Sequence, residues 1–254
     1  MKKQAKLMVI VLSVVMALAI VLTLTSCAKP EEKVAYGLVH REGYVGIATV
    51  EVKDGVLVSA SLDEACFPTQ VKATAADGDF TVAVVSGEGE NQTTTYYYKT
   101  VKYGSVTMTF DAASKGYMVG TQSIKDYFKA SEDNCKAYAE AVKANGIAVV
   151  TSAGEKKDVM TAATLLKTQN GYWSGSSIHE GQIGWKKNAE ATCKYVMEHG
   201  FDAVTAKTDF TQPNKETGTG DTADQWYDKN NVATGATWTD LWDYVSLLKT
   251  AYEK

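Results

Sequence analysis

Residues 44–52 are dense in β-branched and small apolar side chains, and the same texture returns at 56–60 after Asp54-Gly55. A two-residue Asp-Gly joint between such runs predicts a β-hairpin. Further strands are expected at 80–85, 94–100 and 106–110, with turns at 77–78, 87–91 and 103–104 where Gly, Asp and Asn gather. Beyond Gly120 the period changes. Ile124, Phe128, Cys135, Tyr138, Ala139 and Val142 recur at helical spacing and Asn145-Gly146 supplies a stop, so 122–144 reads mostly as helix. Segments 156–168, 183–198 and 239–252 are three more helical candidates, the third of these preceding the C-terminus, while 169–184 and 207–231 read as polar surface loops. Strands first and helices later predict an α+β fold: one antiparallel-rich sheet with helices packed on it, and a final helix after Thr234–Thr237.

The chain has 254 residues, 26 basic against 30 acidic side chains and a formal charge of −4. No basic excess is available to neutralise a phosphate backbone, so nucleic acid is not an expected partner. Four cysteines are too few for a disulfide scaffold, and none lies in a C-x-x-C pair that would suggest zinc or a dithiol centre. His40, His179 and His199 stand in no protease or zinc context, and no catalytic or metal-ligating residue is assigned.

At the N-terminus Lys2, Lys3 and Lys6 precede an apolar run from Leu7 to Leu24, closed by Thr25-Ser26-Cys27. This resembles a bacterial lipoprotein signal, which implies cleavage before Cys27 and a diacylglycerol on its thiol. The alternative is an uncleaved membrane anchor, since the run approaches the length that spans a bilayer. Both readings put the rest of the chain on the outer face of the cell membrane. The expected organisation is a signal at 1–26, a lipidated cysteine and tether at 27–33, and one domain at 34–254 with a helical insertion at about 121–200. Removal of 1–26 takes three lysines with it and moves the formal charge from −4 to −7. Cys66, Cys135 and Cys193 then remain, an odd number whose pairing the sequence leaves open.

Asn231-Val232-Ala233-Thr234-Gly235-Ala236-Thr237-Trp238 lies just before the last predicted helix. A glycine beside small residues lets backbone approach a phosphate, and a threonine entering a helix would sit beside unpaired amides that favour an anion. The segment resembles the motif Asp-x-x-(Ser/Thr)-Gly-Ala-(Ser/Thr) of the FMN-binding domains in covalent-flavin subunits of sodium-pumping quinone reductases and Rnf complexes, and in flavin-bearing lipoproteins. The early hairpin, from Gly43-Tyr44-Val45-Gly46 through Asp54-Gly55-Val56, is similar to theirs. The resemblance implies that a flavin transferase esterifies the phosphate of FMN to Thr237, with Thr234, Gly235, Ala236, Asn231 and Trp238 around the cofactor. Asn231 stands where the family has aspartate, and Asp228 lies nearby. A rival segment, Asp158-Val159-Met160-Thr161-Ala162-Ala163-Thr164, keeps the aspartate but has Ala162 in place of glycine and makes Thr164 an interior helical residue.

The expectation is therefore a lipid-anchored, extracytoplasmic flavoprotein that carries covalent FMN and shuttles electrons rather than turning over a small substrate. Its partners would be the membrane, a flavin transferase, and redox proteins such as a quinol or NADH dehydrogenase or an extracellular reductase. Trp238 and Trp242 are the local aromatics placed to pack near a flavin. The alternative is a ligand-binding or interaction lipoprotein without flavin, using loop aromatics such as Tyr172, Trp173, Trp226 and Tyr227.

Overall fold

The computed structural model describes residues 29–170, 183–212 and 224–254. The apolar leader with Cys27, and Tyr172, Trp173 and His179, lie outside the described residues.

Three strands, β1 (Glu31–Val39), β2 (Tyr44–Lys53) and β3 (Val56–Cys66), form an antiparallel sheet in sequence order. The expected hairpin is β2–β3, with Asp54 at φ 52° and Gly55 at φ 78°, the positive angles that a tight two-residue turn requires. β1 was not anticipated, and its first residues, Glu31 to Lys33, fall in the segment read as tether. The sheet is buried on both faces, which removes the alternation that marks a half-buried strand. Tyr36, Val45, Ile47 and Ala65 enter one core, whereas Ala35, Val39, Ala48, Val50 and Leu62 enter another.

The first core is shared with α1 (Ile124–Lys129), α2 (Glu132–Lys143) and two further sheets. β4 (Lys72–Ala73), β5 (Thr81–Ser86) and β6 (Thr93–Tyr98) pair in the order β4-β6-β5. β7 (Thr100–Tyr103), β8 (Val106–Asp111), β9 (Gly116–Val119), β10 (Gln122–Ser123), β11 (Ala148–Val150) and β12 (Lys156–Lys157) pair in the order β10-β9-β8-β7-β11-β12. The helix expected at 122–144 is two helices because Ser123 and Ser131 each cap a separate start, accepting from the amides of Asp126 and Asp133 at 3.1 Å.

The helix expected at 156–168 is corrected. Only α3 (Ala162–Leu165) is helical, a single turn, and Lys156–Lys157 is strand. The buried side chains Met160, Ala162, Leu165 and Leu166 mimic a helical stripe, but the backbone leaves the helix so that Leu166 bridges Ala65 and the Lys167 amide donates to Glu64 O at 3.0 Å.

The second core is closed by α4 (Trp185–His199) and α5 (Leu241–Glu253), close to the helices expected there. A small ribbon of β13 (Phe210–Thr211) and β14 (Tyr227–Asp228) adjoins them. α5 crosses β2 over Gly46, where a Cβ would fall 2.7 Å from Val39 Cγ1 and 2.8 Å from Leu247 Cδ2. The fold is α+β, with antiparallel sheets, packed helices and a C-terminal helix after Thr234–Thr237.

Candidate functional site

Thr234, Ala236, Thr237 and Trp238 are buried in a loop that bonds to itself before reaching α5. Trp226 is its organiser. Its carbonyl accepts from the Thr234 amide and hydroxyl, both at 2.9 Å, its amide donates to Ala236 O at 2.9 Å, and its indole donates to Trp238 O at 2.8 Å. Gly235 turns the chain at φ 71°, an angle a side chain resists.

Asp228 fastens the entry to this loop. Its Oδ1 accepts from the amides of Asn230 and Val232 at 2.9 Å, and its Oδ2 accepts from the Tyr195 hydroxyl at 2.7 Å. Burial opposes its ionisation, yet those amides and that hydroxyl hold the carboxyl below its ordinary range. Asn231 is exposed at the turn's left-handed position, φ 61°, where asparagine is tolerated.

Thr237 does not enter the helix as expected. α5 begins at Leu241 after Asp240, and the Thr237 amide is already used, donating to Asn188 Oδ1 at 2.6 Å. The same oxygen accepts from the Trp238 amide at 3.1 Å and lies 3.4 Å from Thr237 Oγ1, while Ile183 donates its amide to Thr237 Oγ1 at 3.0 Å. Free amides and a helix dipole are therefore not what surrounds this hydroxyl. One buried asparagine on α4 sets its position. The rival Thr164 sits in the single turn of α3 with its hydroxyl donating to Thr161 O at 2.9 Å, and is not the interior residue of a long helix.

Trp238 connects this loop to a buried polar centre. Its ring stacks on Tyr244 with centroids 3.7 Å apart and planes 4° from parallel, and Trp185 meets it edge-on at 6.4 Å. Tyr244 donates to Glu64 Oε1 at 2.5 Å, and Trp185 Nε1 donates to the same oxygen at 2.6 Å. Glu64 Oε2 pairs with Lys167 Nζ at 2.7 Å, both side chains being buried. The ammonium also lies over the Tyr44 ring at 4.2 Å. Burial first, and then the Glu64 charge, push the Tyr244 phenol well above its ordinary value.

The turn joining β1 to β2 closes the far side. His40, Arg41 and Glu42 lie at φ 53°, 56° and 58°, three successive left-handed residues without a glycine. Such a run is costly and persists only when its surroundings hold it. The Asp243 carboxylate accepts from the His40 and Arg41 amides, and Glu42 pairs with Lys125 and Lys129 at 2.8 Å each. His40 Nδ1 lies 3.4 Å from the Tyr244 hydroxyl, and burial lowers the pKa of its imidazole. Asp240 has Arg41 Nε as its counter-charge at 3.8 Å.

Trp242 stands apart from this stack, lining a small cleft with Lys207, Phe210, Trp226, Thr239 and Leu241. Cys66, Cys135 and Cys193 are separate, buried and free, and burial pushes each thiol up to about 12. Sequence reasoning reached the loop through its Thr-Gly-Ala-Thr motif but missed Glu64, Lys167, Asn188 and Trp185. A lysine directly after Leu165-Leu166 was the one signal available. No protein-family model, curated protein or solved structure matches the chain, so its own residues carry the functional reading.

Proposed function

We propose that the protein is a lipid-anchored, extracytoplasmic flavoprotein carrying FMN esterified to Thr237, and that it passes electrons between membrane redox partners and an outer acceptor. The observation that carries the reading is the setting of Trp238. Its indole Nε1 is buried with no hydrogen-bond partner among the described residues, and it follows directly on the attachment threonine. A buried donor without an acceptor is costly unless something supplies one. Flavin carbonyl and phosphate oxygens are acceptors of that kind, so the donors present suit the group.

FMN, when bound, supplies one- and two-electron transfer. The chain's residues hold and orient it. Thr237 would carry the group, its oxygen keeping the Ile183 amide as donor and releasing the longer contact to Asn188. Asn188 keeps the backbone at Thr237 and Trp238 fixed through their amides. Thr234, Gly235 and Ala236 maintain the loop, Asn231 occupies its turn, and anchoring through Cys27 keeps the redox group beside its membrane partners.

The test is co-expression with a flavin transferase in an export-competent host, followed by intact mass and visible absorbance. A yellow protein with an FMN mass increment that disappears in Thr237→Ala and persists in Thr164→Ala is expected. Asn231→Asp should increase occupancy. A colourless, unmodified wild type beside a modified control protein overturns the reading.

A second reading, a ligand-binding lipoprotein without flavin, is favoured by one feature. A groove of about 190 Å3 runs between β3 and α4, lined by Leu62, Thr168, Trp185, Ala189 and Cys193. It is smaller than the roughly 300 Å3 at which ligand pockets begin, and so suits a small apolar group.

A further inference from the structure

The register of the central sheet fixes where the chain enters it. Glu31 lies opposite Val52 in β2, and Val52 lies opposite Leu57 in β3. With strands about 4.8 Å apart, Glu31 and Leu57 are separated across the sheet by roughly 10 Å. Ala28, Lys29 and Pro30 alone separate Cys27 from Glu31, a reach of at most about 14 Å. The tip of the β2–β3 hairpin therefore lies at the end of the sheet from which the tether leaves, within about 24 Å of Cys27.

Exposed apolar side chains gather at the same end. Val56 is 62% exposed and Val58 45%, both on the face of β3 opposite Leu57. Met197, 42% exposed, is in the last turns of α4. That helix starts with Trp185 bonded to Glu64 near the far end of β3. It finishes beside Phe201, whose ring lies 5.6 Å from Tyr252, and Tyr252 donates to Gly55 O at 2.7 Å. Among the described residues Val85 is the other large apolar side chain exposed to this degree. The charges at this end are mixed, with Lys29, Lys33, Lys53 and Lys254 beside Glu31, Glu32, Asp54 and Glu253. From Val56 to Leu62, β3 carries no charge at all, although it is an edge strand, where charges ordinarily guard against association.

We infer that the β2–β3 hairpin tip, with Val56, Val58 and Met197, rests in the interfacial layer of the bilayer that holds the N-terminus. The inference depends on the anchoring part of the preceding reading, and it holds for a lipidated Cys27 and for an uncleaved span alike; it is independent of flavin. The occupant is lipid rather than another protein because Val56, Val58 and Met197 lie at the end of the sheet from which the short tether to the membrane-held Cys27 leaves. Burial of valine and methionine drives the contact, and the balanced charge makes it insensitive to salt.

The experiment uses the full chain, processed in a lipidating host and reconstituted into phosphatidylglycerol–phosphatidylethanolamine vesicles. Val56→Cys, or Arg41→Cys at the opposite end of the sheet, carries an environment-sensitive fluorophore. Cys66, Cys135 and Cys193 are buried and held protonated and lipidation blocks Cys27, so none of the native thiols competes for the label. Nitroxide-bearing lipids should quench the label at 56 about twofold or more relative to that at 41, iodide should do the reverse, and neither should change with salt. Introducing Val58→Asp and Met197→Asp should abolish the difference while the protein still floats with the vesicles. Equal quenching at both positions in floating protein overturns the inference and leaves anchoring intact. Failure to float, with an N-terminal mass showing neither lipid nor apolar leader, overturns the anchoring reading and this inference with it.

Discussion

Tyr244 lies with its ring flat on Trp238, 3.7 Å between centroids, and with its hydroxyl 2.5 Å from Glu64 Oε1. One side chain therefore ties the loop that carries Thr237 to the buried ion pair of Glu64 and Lys167. A change at the pair should be felt at the loop.

Glu64→Gln or Lys167→Met should each destabilise the protein by about 3–5 kcal/mol, because the remaining charge stays buried without its counter-ion. Glu64→Leu combined with Lys167→Met should cost less than either single change. Urea denaturation of the four proteins measures this, and a double variant at the sum of the singles would refute the coupling.

His40 gives the stability a slope in weak acid. Burial lowers its pKa in the folded state, so below the ordinary histidine value near 6.5 the unfolded chain binds a proton that the folded protein does not. Stability should fall as pH drops below about 6.5 and level off once folded His40 itself titrates. His40→Asn tolerates the left-handed backbone and should flatten that slope, as followed by denaturation midpoints across pH.

At lower pH a second loss is expected. The Lys125 and Lys129 ammonium groups hydrogen-bonded to Glu42 bring its carboxyl down to about 2, below the ordinary value near 4.3. The stabilisation is complete above the ordinary value and disappears as pH falls through about 2. Glu42 is exposed, so the effect should weaken with salt, and Glu42→Gln should remove it from acid titrations of stability.

Asn188→Ala should loosen the loop more than it unfolds the domain. It removes the acceptor for the Thr237 and Trp238 amides, at a cost of about 1–3 kcal/mol. Hydrogen exchange at those two amides should accelerate well beyond exchange in β2.

Gly46→Ala should destabilise by about 1–3 kcal/mol, since the added methyl collides with Val39 and Leu247. Combined with Leu247→Ala it should cost less than the two changes summed. Strict additivity in thermal denaturation would show that α5 does not rest on this glycine.

The elements legible in the sequence were those whose signal is local. Asp54-Gly55 specifies its hairpin without outside help, and α4 and α5 show one apolar stripe because each packs on one side. β1 was missed because Val34–Val39 is apolar on both faces, which erases the two-residue period. Segment 156–168 misled because apolar residues buried around an irregular turn share the spacing of a helix. In the site, Thr234–Thr237 was legible because glycine and small residues stand adjacent. Glu64 and Lys167 were not, since β3 and the segment after α3 meet only in the folded chain, and no local pattern marks a carboxylate for burial.

The ladder between β1 and β2 has a mechanical consequence. Force applied at Lys29 enters along the axis of β1, whose register with β2 runs unbroken from Glu31 opposite Val52 to Val39 opposite Tyr44. The bonds are then sheared together instead of being opened one after another. A pull from that end meets its greatest resistance at the first strand, whose side chains also sit in both cores.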